Sequence, residues 1–159
     1  MNRIKKSFTI EDEFSHPIIG DFSSSTALQK APLVIFCHGY KGYKDWGAWN
    51  LVADEFVKKG FSFVKFNFSL NGGTIENPVD FPDLSAFSQN THTQEVKDVG
   101  RLLKFLTTEF SNNFDLFNVS IIVLEIPVQI ATARPASSLA CGYVHSSRGY
   151  VALALTRHR

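Results

Sequence analysis

The chain has 159 residues, of which 44% are hydrophobic and 19% charged, and its formal net charge is +1. That balance suits a single globular domain with a core of its own, and it excludes global disorder and a chain-wide electrostatic footprint for nucleic acid. The longest apolar run, "VSIIVLEIPVQI", contains Glu125 and Pro127 and is too short to span a bilayer, so no membrane partner is expected.

The start, "MNRIKKSFTIEDEF", is basic but lacks the apolar core of a signal peptide. "KKSFTIE" and "HPIIGDFS" then form two strands around a polar turn, as in a hairpin. "PLVIFC" is a continuous apolar run after Pro32, the pattern of a strand covered on both faces. From Trp49 the apolar residues Val52, Ala53, Phe56 and Val57 keep helical spacing, which predicts a helix near 47–59. Lys58 and Lys59 suit its last turn, and Gly60 supplies the stop. "FSFVKFNF" is a Phe-rich strand, and "SLNGGTIENPVDFPDLSAFSQN" follows as a long loop. Thr91 and Gln94 offer a capping box for a second helix near 93–109, whose buried face is expected to hold Val96, Val99, Leu103, Leu106 and Phe110. "NVSIIVLE", over 118–125, is the next strand. Helical crossovers between the later strands predict parallel pairing there and an α/β fold.

Composition breaks at residue 125. All 15 Phe lie at or before Phe117, all ten Lys at or before Lys104, and every acidic residue at or before Glu125. The last 34 residues have no Asp, Glu, Lys or Phe, but carry four Arg and two His. Residues 1–125 therefore read as the α/β domain and 126–159 as a tail of different origin, expected to be poorly ordered. Cys37 and Cys141 lie far apart and make no disulfide framework, so the cytosol is the expected compartment.

The stretch "IFCHGYKGYKDW" places a Gly-bearing loop directly after a core strand. In an open α/β sheet, ligands sit at the carboxyl ends of the strands. Gly39 and Gly42 let the backbone come close to a bound group and expose N–H donors, which suits an oxyanion site. On the residues alone, a plain strand-to-helix turn explains the loop equally well.

Residues 5–123, and "PLVIFCHGYKGYKDWGAWNLVADEFVKKGFSFVKFNFSLNGG" above all, resemble the N-terminal half of α/β-hydrolases. The similarity is to the serine esterases and acyl-peptidase-like enzymes near the cinnamoyl and feruloyl esterases and the dienelactone hydrolases. The resemblance implies a mostly parallel sheet with helices on both faces and no cofactor. It also implies hydrolysis of a small ester or acyl-peptide-like substrate by a Ser–His–acid triad. The backbone N–H of Tyr40 would be one oxyanion donor, with His38 and Gly39 shaping the turn. "FNFSLNGG" stands where the family often has Asp-x-Arg-Gly-x-Gly, with Ser69 in place of the Arg.

The family's Gly-x-Ser-x-Gly elbow would follow "VSII". Here Val123-Leu124-Glu125-Ile126-Pro127 occupies that place, with no Ser and no Gly, and the downstream acid and His are not recognisable. Ser147, in "HSSRGYVALAL", is the one substitute nucleophile, although a polar turn in a tail is the simpler reading. His145 and His158 have no nearby carboxylate in sequence. His16, His38, His92, His145 and His158 show no metal-ligand spacing, so no metal site is expected. A frame slip near Val123 explains both the break and the missing elbow. The codons permitted for Leu124 to Val128, read two bases later, allow Gly-Asn-Ser-Arg or Gly-Asp-Ser-Arg. The expectation is a serine hydrolase that is truncated or frameshifted and inactive in this form. The alternative is a non-catalytic α/β fragment or interaction domain that self-associates through the unpaired sheet edge left beyond the fifth strand.

Overall fold

Strand β3 (Ala31–Cys37) is buried on both faces, because the helical crossover that follows it covers one face and the next crossover, which returns the chain to its other side, covers the opposite face. In the computed structural model, which describes residues 3–12, 15–27, 30–123, 142–145 and 151–154, the elements run β1 (Arg3–Asp12), β2 (Ser15–Ser25), β3, α1 (Trp49–Lys58), β4 (Ser62–Asn67), α2 (Leu84–Ser88), α3 (His92–Glu109), β5 (Phe114–Val123), β6 (Gly142–His145) and β7 (Val151–Ala154). The sheet order is β1-β2-β4-β3-β5-β7-β6. The expected hairpin is present, with β1 antiparallel to β2. β3 is parallel to both β4 and β5, as the β-α-β reading requires, and β2 lies antiparallel to β4.

Alternation along the strands builds two cores. Leu33, Ile35 and Cys37 turn to one face with Val64, Phe66, Ile18 and Phe22, and there meet Leu102 and Leu106 of α3. Val34, Phe36 and Phe63 turn to the other face and meet Ala53 and Val57 of α1, with Trp49, Val52 and Phe56 at the margin. Full burial of each such Leu, Val or Phe contributes about 1.5–3 kcal/mol. Helices therefore cover both faces of a mixed sheet.

Helix α1 stops as its sequence indicates. Gly60, at φ 91°, takes the left-handed position, while Phe61 N–H bonds to Phe56 C=O and Gly60 N–H to Val57 C=O. This is a Schellman closure, and the left-handed residue favours Gly. At α3, Thr91 Oγ1 accepts the Gln94 N–H at 3.2 Å, so the cap is present. The reciprocal half of the expected capping box is not, because Gln94 Nε2 reaches Asp98 Oδ1 at 2.9 Å and Ser69 Oγ at 3.4 Å instead.

The structure corrects four details. The buried stripe of α3 is centred on Asp98, Leu102 and Leu106, and Val96 is 73% exposed. The long loop contains the short helix α2, capped by Asp83, whose side chain accepts the Ala86 N–H. Strand β5 starts at Phe114, four residues before the expected strand. Its side away from β3 is taken by β7, antiparallel, so the unpaired edge expected beside β5 is covered, and among the described residues the sheet ends at β1 and β6.

Candidate functional site

The turn after β3 is held at the carboxyl end of the sheet by several independent bonds. Gly42 N–H donates to Gly39 C=O at 2.9 Å, closing a β-turn with Tyr40 and Lys41 at its centre. Lys41 has φ 56°, a left-handed conformation that costs a non-Gly residue about 1 kcal/mol or more. A Cβ on Gly42 would sit 2.8 Å from Gly39 O and 3.1 Å from His38 Cβ, so this position requires Gly.

His38 is buried between the ends of β3 and β4. Its Nε2 lies 3.4 Å from the Phe68 N–H nitrogen and accepts that hydrogen, so its Nδ1 carries the proton and donates to Gly39 O at 3.0 Å. Burial lowers its pKa to about 4, against a smaller opposing effect of the Gly39 carbonyl. His38 is therefore a neutral link between the two turns rather than a proton carrier at neutral pH. The neighbouring Cys37 thiol is pushed up to about 12, by burial first and the Glu95 charge second, and is inert as a nucleophile.

Two asparagines continue the attachment. Asn67, at the end of β4, accepts the Lys44 N–H at 2.7 Å and donates to Pro78 C=O at 2.7 Å. Asn71 Nδ2 donates to Gly42 C=O at 3.5 Å. Asp98, fully buried on α3, accepts the Ser69 N–H at 2.8 Å and fixes the turn after β4. None of the bonds at this turn uses the Tyr40 N–H, which donates to no group among the described residues.

Beneath the turn lies a feature that reading the chain segment by segment does not reveal. Lys65 of β4 and Asp21 of β2 are directly opposite and buried, and Lys65 Nζ bonds to Asp21 Oδ2 at 2.5 Å. Lys44 Nζ bonds to the same oxygen at 2.8 Å and to Asp45 Oδ2 at 2.5 Å, and Lys65 also bonds to Asp45 Oδ1. Burial alone would raise the Asp21 carboxyl, but hydrogen bonds from Lys44, Lys65 and Ser7 hold it well below the usual range. Asp45 is lowered likewise: burial opposes, and Lys44 and Lys65 prevail. Lys44 is raised against burial by Asp21 and Asp45. The signal in sequence was a lone charge inside each apolar strand, Lys65 in "FSFVKFNF" and Asp21 in "HPIIGDFS".

Around the turn, aromatic rings form a continuous wall. Tyr40 packs on Phe87 at 5.5 Å, Phe87 on Phe81 at 5.7 Å, and Phe81 on Tyr43 at 6.1 Å between centroids. Tyr40 remains 61% exposed. Chemically the site offers a fixed N–H, unengaged among the described residues, beside an apolar surface.

Of the expected site residues, His38, Gly39 and Tyr40 come together at this turn. Ser147, His158 and the segment after Val123 lie outside the described residues, and only the backbone of His145, in β6, is described. His16 and His92 are exposed. Among the described residues no group of three or more His, Cys, Asp or Glu side chains comes together as a metal site, and no helix is long and apolar enough to cross a membrane.

No protein-family model matches the sequence, and no curated protein sequence matches it. Solved structures do. A dienelactone hydrolase-like promiscuous phosphotriesterase from metagenomic libraries superposes with a TM-score of 0.56 at 16% identity, over 75% of this chain and 48% of that one. A cold-adapted esterase from an Arctic intertidal metagenomic library gives 0.53 at 20% identity, over 69% and 47%. The dienelactone hydrolase of Anabaena variabilis gives 0.54 at 9% identity, over 79% and 52%. The chain thus spans about half the length of these three structures, and over that span it has the α/β-hydrolase fold.

Proposed function

We propose that the chain carries the oxyanion half of a serine hydrolase acting on carboxylic esters or acyl-peptide-like substrates. One observation carries this reading: among the described residues the Tyr40 N–H is left unengaged, in a turn bound by His38, Asn67, Asn71 and the ion pairs beneath it. In such an enzyme a Ser hydroxyl attacks the substrate carbonyl while His takes its proton and an acid orients the His. Negative charge then develops on the carbonyl oxygen, and a donor fixed in advance stabilises it without reorganisation. The apolar group of the substrate would lie along Tyr40, Phe87 and Phe81.

The proposal extends to the tail. The absence of Ser and Gly in "VLEIPVQI" supports a frame slip near Val123, and with it an inactive polypeptide. The same absence is what favours a second reading, a non-catalytic α/β domain that acts by association. A fluorophosphonate probe and p-nitrophenyl esters test the first: the chain as it stands should show no labelling and no turnover above background. Labelling at Ser147 would contradict the inactive assignment. Sequencing the coding DNA across residues 118–130 tests the frame slip, since an intact elbow either stands in the alternative frame or does not.

A further inference from the structure

We infer that the outer edge of β1 is a homodimer interface, in which β1 pairs antiparallel with β1 of a second copy about a two-fold axis at Ser7. Among the described residues β1 pairs with β2 alone, so ten residues of strand offer a free row of N–H and C=O groups. Such an edge is a template for another strand. Its charges are segregated: Arg3, Lys5 and Lys6 stand in the first half, Glu11 and Asp12 in the second. Pairing in a parallel, in-register fashion would set like charges together. A two-fold axis reverses one strand and sets the basic half against the acidic half, which makes the edge self-complementary.

The register follows from the residues. With Ser7 on the axis, Arg3 faces Glu11 of the other copy, Lys5 faces Thr9 and Ile4 faces Ile10. Arg3, Lys5, Ser7, Thr9 and Glu11 share one side of the strand and are all exposed, while Ile4 and Ile10 are half-buried on the other and gain an apolar partner. Sliding the pair by two residues so that Lys5 meets Glu11 would set Ile4 against Asp12 and Lys6 against Ile10. The charges that discourage pairing with foreign strands therefore admit one partner in one register.

The edge is also held in shape before any partner arrives. Phe8 lies opposite Gly20 with its ring over the glycine, where a Cβ would sit 2.3 Å away, and the same ring packs on Phe105 at 4.9 Å. Arg3 is positioned by Asp54 and by Ser23 Oγ at 3.3 Å, which uses only part of its fork of donors. One strand pair is smaller than a standard stable interface, so the dimer should be weak and weaken further with salt. The inference is independent of whether the turn after β3 is catalytic.

Cross-linking tests the register directly. In a Cys141→Ser background, with Cys37 buried, oxidation of Ser7→Cys should yield a disulfide dimer, because opposed residues of antiparallel strands lie within disulfide reach. Thr9→Cys should not, since the two copies of residue 9 would be four residues apart along the pair, roughly 13 Å. In sedimentation, Glu11→Lys and Arg3→Glu should each weaken self-association at least ten-fold, and an equimolar mixture of the two should restore dimer. A wild-type chain that stays monomeric at every concentration would overturn the proposal. So would Thr9→Cys cross-linking as well as Ser7→Cys, or a mixture of the folded charge variants that fails to pair. The cross-linking arm does not depend on Arg3→Glu folding beside Asp54.

Discussion

The two faces of the sheet are built differently, although the same strands supply both. On the α3 face, Phe22, Ile35, Val64, Phe66, Leu102 and Leu106 make an apolar core, with Phe22 stacked on Phe110 at 4.3 Å. On the α1 face, Val34, Phe36 and Phe63 are joined by the buried ions Asp21, Lys44 and Lys65 and the half-buried Asp45. Buried ion pairs are weak contributors to stability relative to apolar side chains of similar size, but they fix geometry because a charge left unpaired is costly. The α3 face carries one buried carboxylate among the described residues, Asp98, and it bonds the turn after β4 rather than the turn after β3. The charged face is the one that bears the turn after β3, since Lys44 and Asp45 are residues of that loop. The contrast assigns stability mainly to one face and placement of the turn to the other.

The sharpest way to break this division is Lys65→Met. It leaves the buried Asp21 and the half-buried Asp45 with one cation and should destabilise the chain by about 3–5 kcal/mol in urea titration. In amide NMR spectra its effects should concentrate at residues 39–46. Leu106→Ala should cost a comparable or slightly smaller 2–5 kcal/mol by removing core volume, yet leave the amides of that turn nearly unmoved. If both variants disturbed the turn equally, the division between the faces would fail.

Acid should separate the same contributions by pH. His38 is held neutral, with a pKa of about 4 against an ordinary 6.5. The unfolded chain takes up that proton at higher pH than the folded one, so His38's contribution is complete above about pH 6.5 and falls away towards pH 4. The loss should approach about 3 kcal/mol, and a His38→Gln variant should lack that slope. Asp21 and Asp45, held below the usual carboxylate range, act in the opposite direction of burial, and their contribution is present above about 3.8 and declines only below it. The smallest expected effect is a gain. Lys41→Gly relieves the left-handed residue of the turn and should stabilise by about 0.5–1 kcal/mol, partly offset by the flexibility of Gly.

Much of this was legible in the sequence where a period or a cap carries it. The run Trp49 to Val57, the stop at Gly60 and the apolar stretch of β3 each specify local structure through spacing or a backbone requirement. What was not legible depends on partners distant in sequence. Lys65 and Asp21 are ordinary charges until β2 and β4 come into register, and Lys44 joins them only when the loop folds back. Val96 has the spacing of a core residue, but α3 is rotated so that Asp98 can bond the Ser69 N–H at 2.8 Å, which turns Val96 outward. A buried polar contact overrode hydrophobic periodicity there. The helix α2 was hidden in a loop because five residues carry too little period, though Asp83 was a visible cap.

The Tyr40 N–H is proposed above to serve an oxyanion. This role is tested most directly by joining residues 1–123 to the downstream half of a homologous hydrolase that carries a Gly-x-Ser-x-Gly elbow and comparing Tyr40→Pro with Tyr40→Ala in ester hydrolysis. Proline suits the second position of a β-turn and removes the N–H, whereas alanine removes the ring and keeps the N–H. The parent chimera should be active, Tyr40→Ala should retain most of its kcat, and Tyr40→Pro should be slowed roughly 100- to 1,000-fold while still folded. Equal activity of the two variants, or a folded parent chimera with no turnover, would contradict that role.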